Sequence, residues 1–313
     1  MINKSSQLRR LFTRDKIFAL PGVADAFEAK IVQAAGFEAC YMSGGRTSAA
    51  LGYPDIGLIT MSEMVRNARN IAAAIDLPLL SDADTGYGNA LNVRRTAQEF
   101  IRAGVAGIHI EDQVSPKRCG YAAGKQLVEL DEAVSKYQAA ADVREELDPD
   151  FVIAARTDAV GAVGGSLEEA IRRSEAYRKA GADVTYIEAL KSMEDVRFII
   201  DRLERPIMIN FFGIPVEELP SHTEMENMGI SCAFYPGLII RIVPPLMWEY
   251  LHDVNARGTA ALREWKQWWK NFPRKYPPAP SFFEIAGFAK VKEWEEKYLS
   301  PKELEKYLKS SGY

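Results

Sequence analysis

Residues 77–113 read LPLLSDADTGYGNALNVRRTAQEFIRAGVAGIHIEDQ. A short apolar run, Leu77–Leu80, ends in a polar cluster, Ser81-Asp82-Ala83-Asp84-Thr85-Gly86. An amphipathic stretch, Asn92–Ala103, follows and stops at Ala103-Gly104; a second apolar run, Gly107–Ile110, again ends in acidic residues. Runs this short with no polar face suit strands buried on both sides, and such strands are joined in parallel through a helix. Gly at the end of the helical stretch is a stop signal. Pro78 stands near the start of its run, where a strand tolerates it.

Working outward, the same unit recurs. Further apolar runs are Ile17–Leu20, Ala39–Met42, Phe151–Ala155, Val184–Ile187, Ile207–Ile209 and Cys232–Tyr235. Helical stretches at Met61–Ala74, Leu130–Glu146, Ser166–Ala180 and Ser192–Leu203 lie between them, and Ala35-Gly36 and Ala180-Gly181 repeat the Ala-Gly stop. Asn92 and Ser166 are the expected N-caps, with Glu169 at capping-box spacing from Ser166. Eight strands alternating with helices, and no GxGxxG turn, predict a (β/α)8 TIM barrel rather than an open doubly wound sheet. A barrel takes about 250 residues. The expectation is a single barrel domain over 1–313, with residues from about 259 to 313 as a C-terminal helical extension. That tail carries Trp265, Trp268 and Trp269, then Pro273, Pro277, Pro278 and Pro280, then a helical run from Phe282 to Leu308 interrupted at Pro301. It reads as an arm packing either on its own barrel or on a neighbouring subunit.

The 313 residues hold 39 Lys+Arg against 43 Asp+Glu, a net charge of −4, which lacks the basic excess of a nucleic-acid surface. No apolar stretch is long enough to span a membrane. Cys40, Cys119 and Cys232 form neither a disulfide framework nor a zinc pattern, and Met1 to Arg14 has no apolar signal core. A cytoplasmic protein is expected, without nucleic-acid or membrane partners.

Barrel chemistry sits at the C-terminal ends of the strands. The second run ends in Tyr41-Met42-Ser43-Gly44-Gly45, a turn whose N–H groups can cradle a carboxylate. Asp82 and Asp84, two apart, share a face of an extended chain, and Glu111 adds a carboxylate from the next strand. Three acidic groups repel unless a cation joins them, and hard oxygen donors favour Mg²⁺ or Mn²⁺; helix capping is the plainer reading of such Asp residues. Arg156, Glu188, Asn210 and Arg241 stand at further strand ends. Arg156 suits a carboxylate or phosphate, or a salt bridge with Asp158 or Glu188. His109 reads as internal and structural. Cys119 lies in a Gly-rich loop beside Lys117 and Arg118, which are expected to favour its thiolate and a role in proton transfer.

Together these residues resemble the isocitrate lyase/phosphoenolpyruvate mutase superfamily from about Leu8 to Tyr250. The motifs are Tyr-Met-Ser-Gly-Gly at 41–45, Tyr-Pro-Asp at 53–55, Asp-Ala-Asp-Thr-Gly-Tyr-Gly at 82–88, Ile-Glu-Asp-Gln at 110–113, Lys-Arg-Cys-Gly at 117–120 and Ala-Arg-Thr-Asp at 155–158. The resemblance implies Mg²⁺ at Asp82, Asp84 and Glu111, partly through water, small α-oxy dicarboxylate substrates, and dimers or tetramers with exchanged C-terminal helices. Because Lys117, Arg118, Cys119 and Gly120 are kept, it points to the carbon–carbon lyases of the methylisocitrate and 2,3-dimethylmalate kind. Oxaloacetate hydrolysis or decarboxylation, C–P chemistry, and a non-catalytic dicarboxylate-binding barrel are the alternatives.

The implied reaction splits a substituted 2-hydroxy diacid, an alkylmalate or a methylisocitrate-like acid, into a 2-oxo acid and a second carboxylic acid. Ser43, Gly44 and Gly45 would hold one carboxylate; Tyr41, Asp55 or Glu188 would act as base; Arg156 would stabilise the enolate and Cys119 protonate it. Lys117, Arg118, Gly120, Tyr121, Asn210, Phe212 and Arg241 complete the expected substrate contacts. Tyr121 stands where the family has His, and Phe211-Phe212 where methylisocitrate lyases have polar residues. Two aromatics there favour an apolar substituent over a third carboxylate.

Overall fold

The computed structural model of the chain describes residues 3–308. Eight parallel strands close into a barrel in sequence order: β1 Phe18–Val23, β2 Cys40–Met42, β3 Leu79–Asp82, β4 Gly107–Glu111, β5 Val152–Thr157, β6 Val184–Ile187, β7 Ile207–Asn210 and β8 Cys232–Tyr235, which returns to β1. The strands lie where the apolar runs lie. Several reach further at their C-terminal ends, because ladder pairing continues into the polar residues: Asp82 pairs with His109 and Glu111 with Arg156. β3 begins after Pro78, which has no N–H to give the ladder.

Period-two alternation sorts the side chains into layers. Leu20, Tyr41, Leu80, Ala154, Tyr186, Met208 and Phe234 fill the interior, and Leu8, Leu11 and Phe12 of the helix Lys4–Thr13 join that cluster. The intervening residues, such as Ile108, Ile110, Ile153 and Ile209, pack on the surrounding helices. Each large apolar side chain so buried contributes about 1.5–3 kcal/mol. Tyr41 meets Phe234 edge-on at 4.7 Å and stacks on His109 at 5.4 Å, so an aromatic layer fills the interior around Asp82.

The helix starts follow local chemistry. Ser166 caps Leu167–Lys179 by accepting the Glu169 N–H, as expected, but no capping box forms, because the Glu169 carboxylate pairs with Arg172 and Arg173. Asn92 is not a cap. The helix starts earlier, at Ala90, with Asn89 as N-cap and Asn92 as the reciprocal partner of a capping box. The C-terminal run is broken at Gly287 (φ 97°) into Phe282–Ala286 and Phe288–Tyr298, and Pro301 opens the helix Pro301–Leu308 rather than interrupting one. Pro is suited to a first turn because its missing N–H would have no partner there.

The chain divides into two compact units between Leu246 and Met247, inside the helix Val243–Arg257 and before the expected boundary near Gly258. In the second unit Arg257 bridges Asp253 and Glu264, and Trp265 Nε1 donates to Asp253 Oδ2 at 2.8 Å. Its large apolar side chains are widely exposed: Trp248 at 64%, Trp269 at 52% and Trp294 at 54%. Among the described residues, no helix is long and apolar enough to cross a membrane.

Candidate active site

Asp82 ends β3, and the chain then turns through the left-handed region at Asp84 (φ 45°) and again at Tyr87 (φ 61°). The two aspartates are therefore not side by side on an extended chain as the spacing suggested. The turn folds Asp84 back so that its N–H donates to Asp82 Oδ1 at 3.0 Å, while the Gly44 N–H donates to Asp82 Oδ2 at 3.0 Å. A side chain at Gly44 would meet that oxygen at 2.5 Å, so the approach requires glycine. Non-glycine residues in this region carry strain that a packed site must hold.

Each carboxylate faces a basic side chain. His109 Nε2 is 3.1 Å from Asp82 Oδ1, Lys117 Nζ is 3.1 Å from Asp84 Oδ1 and also pairs with Asp55, and Arg156 Nη1 is 3.2 Å from Glu111 Oε2. Burial works against ionised Asp82, but His109, Lys117 and Arg156 outweigh it and hold its carboxyl below the usual range. Burial pushes Asp84 up to about 6 against the pull of Lys117, and raises Glu111 despite Arg156.

These groups also define what would fit a metal. Asp84 Oδ1 and both Glu111 oxygens are buried and accept no hydrogen bond of good geometry. Buried carboxylate oxygens left this way are costly, and they suit a hard divalent cation. Among the described residues no three Asp, Glu, His or Cys side chains converge closely enough to enclose an ion alone. A divalent cation at Asp82, Asp84 and Glu111 would therefore take its remaining ligands from water and substrate.

The cavity at this end of the barrel has a volume of about 170 Å³. Of the residues expected from sequence, Tyr41, Ser43, Gly45, Asp55, Asp82, Lys117, Cys119, Gly120, Tyr121, Arg156, Glu188, Asn210 and Phe212 line it. Asp84 and Glu111 lie behind that wall, against Lys117 and Arg156. Arg156 grips Asp158, at 2.8 and 3.1 Å, so the salt bridge considered for it is formed, and the residue also lines the cavity.

Several expectations need correction. Gly44 does not line the cavity, because its N–H is taken by Asp82. Arg118 is exposed and donates to the Ala123 carbonyl at 3.3 Å. Arg241 also lies off the cavity wall: its guanidinium covers the Phe212 ring at 4.1 Å and donates to the Phe212 carbonyl. Phe211 is buried among Ile187, Ile209 and Ile214, so Phe212 alone reaches the wall. Adjacency to Lys117 and Arg118 does not favour a Cys119 thiolate. Burial raises the thiol pKa above its ordinary 9.0 and outweighs the Tyr121 N–H, Lys117 and Arg156, so the sulfur is protonated at neutral pH.

Sequence reasoning missed Tyr186 and undervalued His109. Tyr186 sits two residues before Glu188 on β6, a spacing that puts both side chains on one face; its hydroxyl donates to Glu188, and its ring lies 5.6 Å from the Arg156 guanidinium carbon. The other Glu188 oxygen is buried without a donor, and burial raises that carboxyl. His109 is internal, as expected, but it faces Asp82 rather than the helices.

A closed parallel barrel with carboxylates, an arginine and a thiol at one mouth has the layout of a barrel-enzyme active site. The chain belongs to the phosphoenolpyruvate phosphomutase family, whose model matches residues 8–254, within the phosphoenolpyruvate mutase/isocitrate lyase superfamily. It is 36% identical to the 2,3-dimethylmalate lyase of Eubacterium barkeri, over 95% of this chain and 99% of that one. It is 40% identical to a probable 2-methylisocitrate lyase of Corynebacterium glutamicum, over 80% of each chain. The solved structure of a 2,3-dimethylmalate lyase superposes with a TM-score of 0.82 at 32% identity, over 96% of this chain and 97% of the other. Oxaloacetate acetylhydrolase bound to 3,3-difluorooxalacetate gives 0.82 at 31%, over 94% and 97%. A phosphonopyruvate hydrolase complex with oxalate and Mg²⁺ gives 0.80 at 26%, over 96% and 100%.

Proposed function

We propose that the protein is a carbon–carbon lyase that splits a 2-hydroxy dicarboxylate bearing an apolar substituent, an alkylmalate, into a 2-oxo acid and a second carboxylic acid. One observation carries the reading: the Cys119 thiol shares a small cavity with Arg156 and a half-satisfied Glu188 carboxylate, and burial there favours the protonated thiol. A mechanism that makes and then quenches a carbanion needs an acid, a base and a fixed positive charge in such a space.

Glu188 is the base this geometry favours. Tyr41 is buried and holds its phenolic proton well above the usual range, and Asp55 is occupied by Lys117. Glu188 removes the substrate hydroxyl proton. The C–O bond becomes a carbonyl as the adjacent C–C bond breaks, and its electron pair passes into the enolate of the departing carboxylate. Arg156 balances that charge. The Cys119 thiol delivers a proton to the carbon, and thiolate and carboxyl then exchange protons through solvent. A divalent ion at Asp82, Asp84 and Glu111, Mg²⁺ or Mn²⁺, would supply Lewis-acid stabilisation of developing oxyanion charge.

The preference for an alkyl group rests on the far wall, where Tyr121 packs on Phe212 at 4.6 Å beside Pro236 and Ile240. Asn210 Nδ2 donates to the Tyr121 hydroxyl at 3.1 Å, and Arg241 is spent on Phe212, so that wall offers a third carboxylate no cation. Incubation with Mg²⁺ and a panel of alkylmalates, methylisocitrate, oxaloacetate and phosphonopyruvate, followed by NMR, tests this. A 2-oxo acid should appear from alkylmalates with the highest kcat/KM. Turnover confined to oxaloacetate or phosphonopyruvate would replace the reading with hydrolysis or C–P chemistry.

The reading includes a dimer or tetramer in which the helices after Pro280 exchange between subunits. The exposed Trp248, Trp269, Phe288 and Trp294 support it, since exposed apolar area on this scale marks an interface. Sedimentation should give an assembly that truncation at Pro280 disrupts; a full-length monomer refutes it.

A further inference from the structure

One buried cation takes no part in this chemistry. Lys125 follows the 117–124 loop and is 1% exposed. Its Nζ donates to the Gly120 carbonyl and to Asp158 Oδ1, the latter at 2.7 Å. Gly161 leaves the room: a Cβ there would stand 2.7 Å from the Lys125 amino nitrogen. The Lys125 backbone is pinned by a bridge to Ala162 and by the Val163 N–H, which donates to its carbonyl at 3.1 Å.

A lysine is almost never buried unless paired, but neutralising Asp158 does not account for this one. Asp158 already accepts both Nε and Nη2 of Arg156. What Lys125 adds is the bond to the loop that carries Cys119. Gly120 sits so close to the far groups that a Cβ would lie 2.7 Å from Arg156 Nη2 and 2.7 Å from Glu188 Cγ.

We propose that Lys125 is a positioning residue that seats the Cys119 loop, tying the Gly120 carbonyl to the Arg156–Asp158 pair so that thiol and guanidinium face one cavity in fixed relation. The effect on turnover rests on the lyase reading; the effect on the loop does not.

Thiol labelling of the full-length protein with DTNB separates the two. Cys40 and Cys232 are fully buried, so the accessible thiol is Cys119, and Cys119→Ser identifies its phase. Loss of a charge-assisted hydrogen bond shifts a local opening by about tenfold or more. Lys125→Met should therefore raise the Cys119 labelling rate by about that factor and lower kcat, while Asp158 stays paired with Arg156. Gly161→Ala keeps the charge but displaces the amino group, and should act in the same direction with a smaller effect; it serves if Lys125→Met fails to fold. A merely structural lysine predicts a lower Tm with Cys119 labelling and kcat of the folded protein unchanged, and that result overturns the proposal. Faster labelling in a protein without lyase activity would sustain the positioning role and discard the lyase reading.

Discussion

Cys119→Ser lowers kcat by about 10²–10⁴-fold, the usual worth of a general acid, and leaves KM near its wild-type value. The thiol is needed after the carbon–carbon bond has broken, so substrate binding does not depend on it. Serine keeps the size but gives up its proton far less readily. The pH profile carries the sharper signature. The base must be ionised, and burial raises Glu188 above the usual carboxylate range, so the rate falls as pH drops through that raised value. The acid must be protonated, and burial raises Cys119 above 9.0, so the rate falls as pH climbs through that value. Wild-type kcat should thus show both limbs, with its maximum between the two values, and Cys119→Ser should lose the alkaline limb while keeping the acidic one. Near-wild-type turnover in the serine variant would remove Cys119 from the chemistry and leave it a lid residue.

Asp84→Asn lowers kcat by about 10³-fold, and excess chelator does the same to the wild type, because charge stabilisation at a developing oxyanion is worth several kcal/mol. Asparagine is the informative replacement. It accepts the left-handed backbone that Asp84 adopts, so the turn after β3 survives and the Tm changes little. What it removes is the charge facing Lys117 and one of the two carboxylate oxygens. Calorimetric titration with Mg²⁺ should show binding to the wild type and weakened binding to the variant. Full activity in chelator would show that the carboxylates serve only Lys117, His109 and Arg156.

The strands were legible because buried parallel strands need uninterrupted apolar residues, a one-dimensional property; Val184–Ile187 and Cys232–Tyr235 coincide with their runs. Several mouth residues were legible for a related reason: Ser43, Glu111, Arg156, Glu188 and Asn210 are each the first residue after such a run. Arg118 and Arg241 misled because nearness along the chain says nothing of direction. Arg118 points to Ala123 and Arg241 covers Phe212, although both adjoin residues that line the cavity. The Asn92 cap erred by three residues, since several polar residues precede the helix and only backbone geometry selects Asn89.

By itself the sequence determined the barrel, the strand ends, the family and the set of groups from which a site is built, because these depend on residue type and local period. Only the tertiary structure decided how those groups are paired. It turned Asp84 back onto Asp82, aimed His109 at the same carboxylate, and threaded Lys125 under the Cys119 loop. It also reversed the expected effect on Cys119: two neighbouring cations in the chain suggested a thiolate, whereas burial, a property of the whole fold, outweighs them and keeps the proton on sulfur.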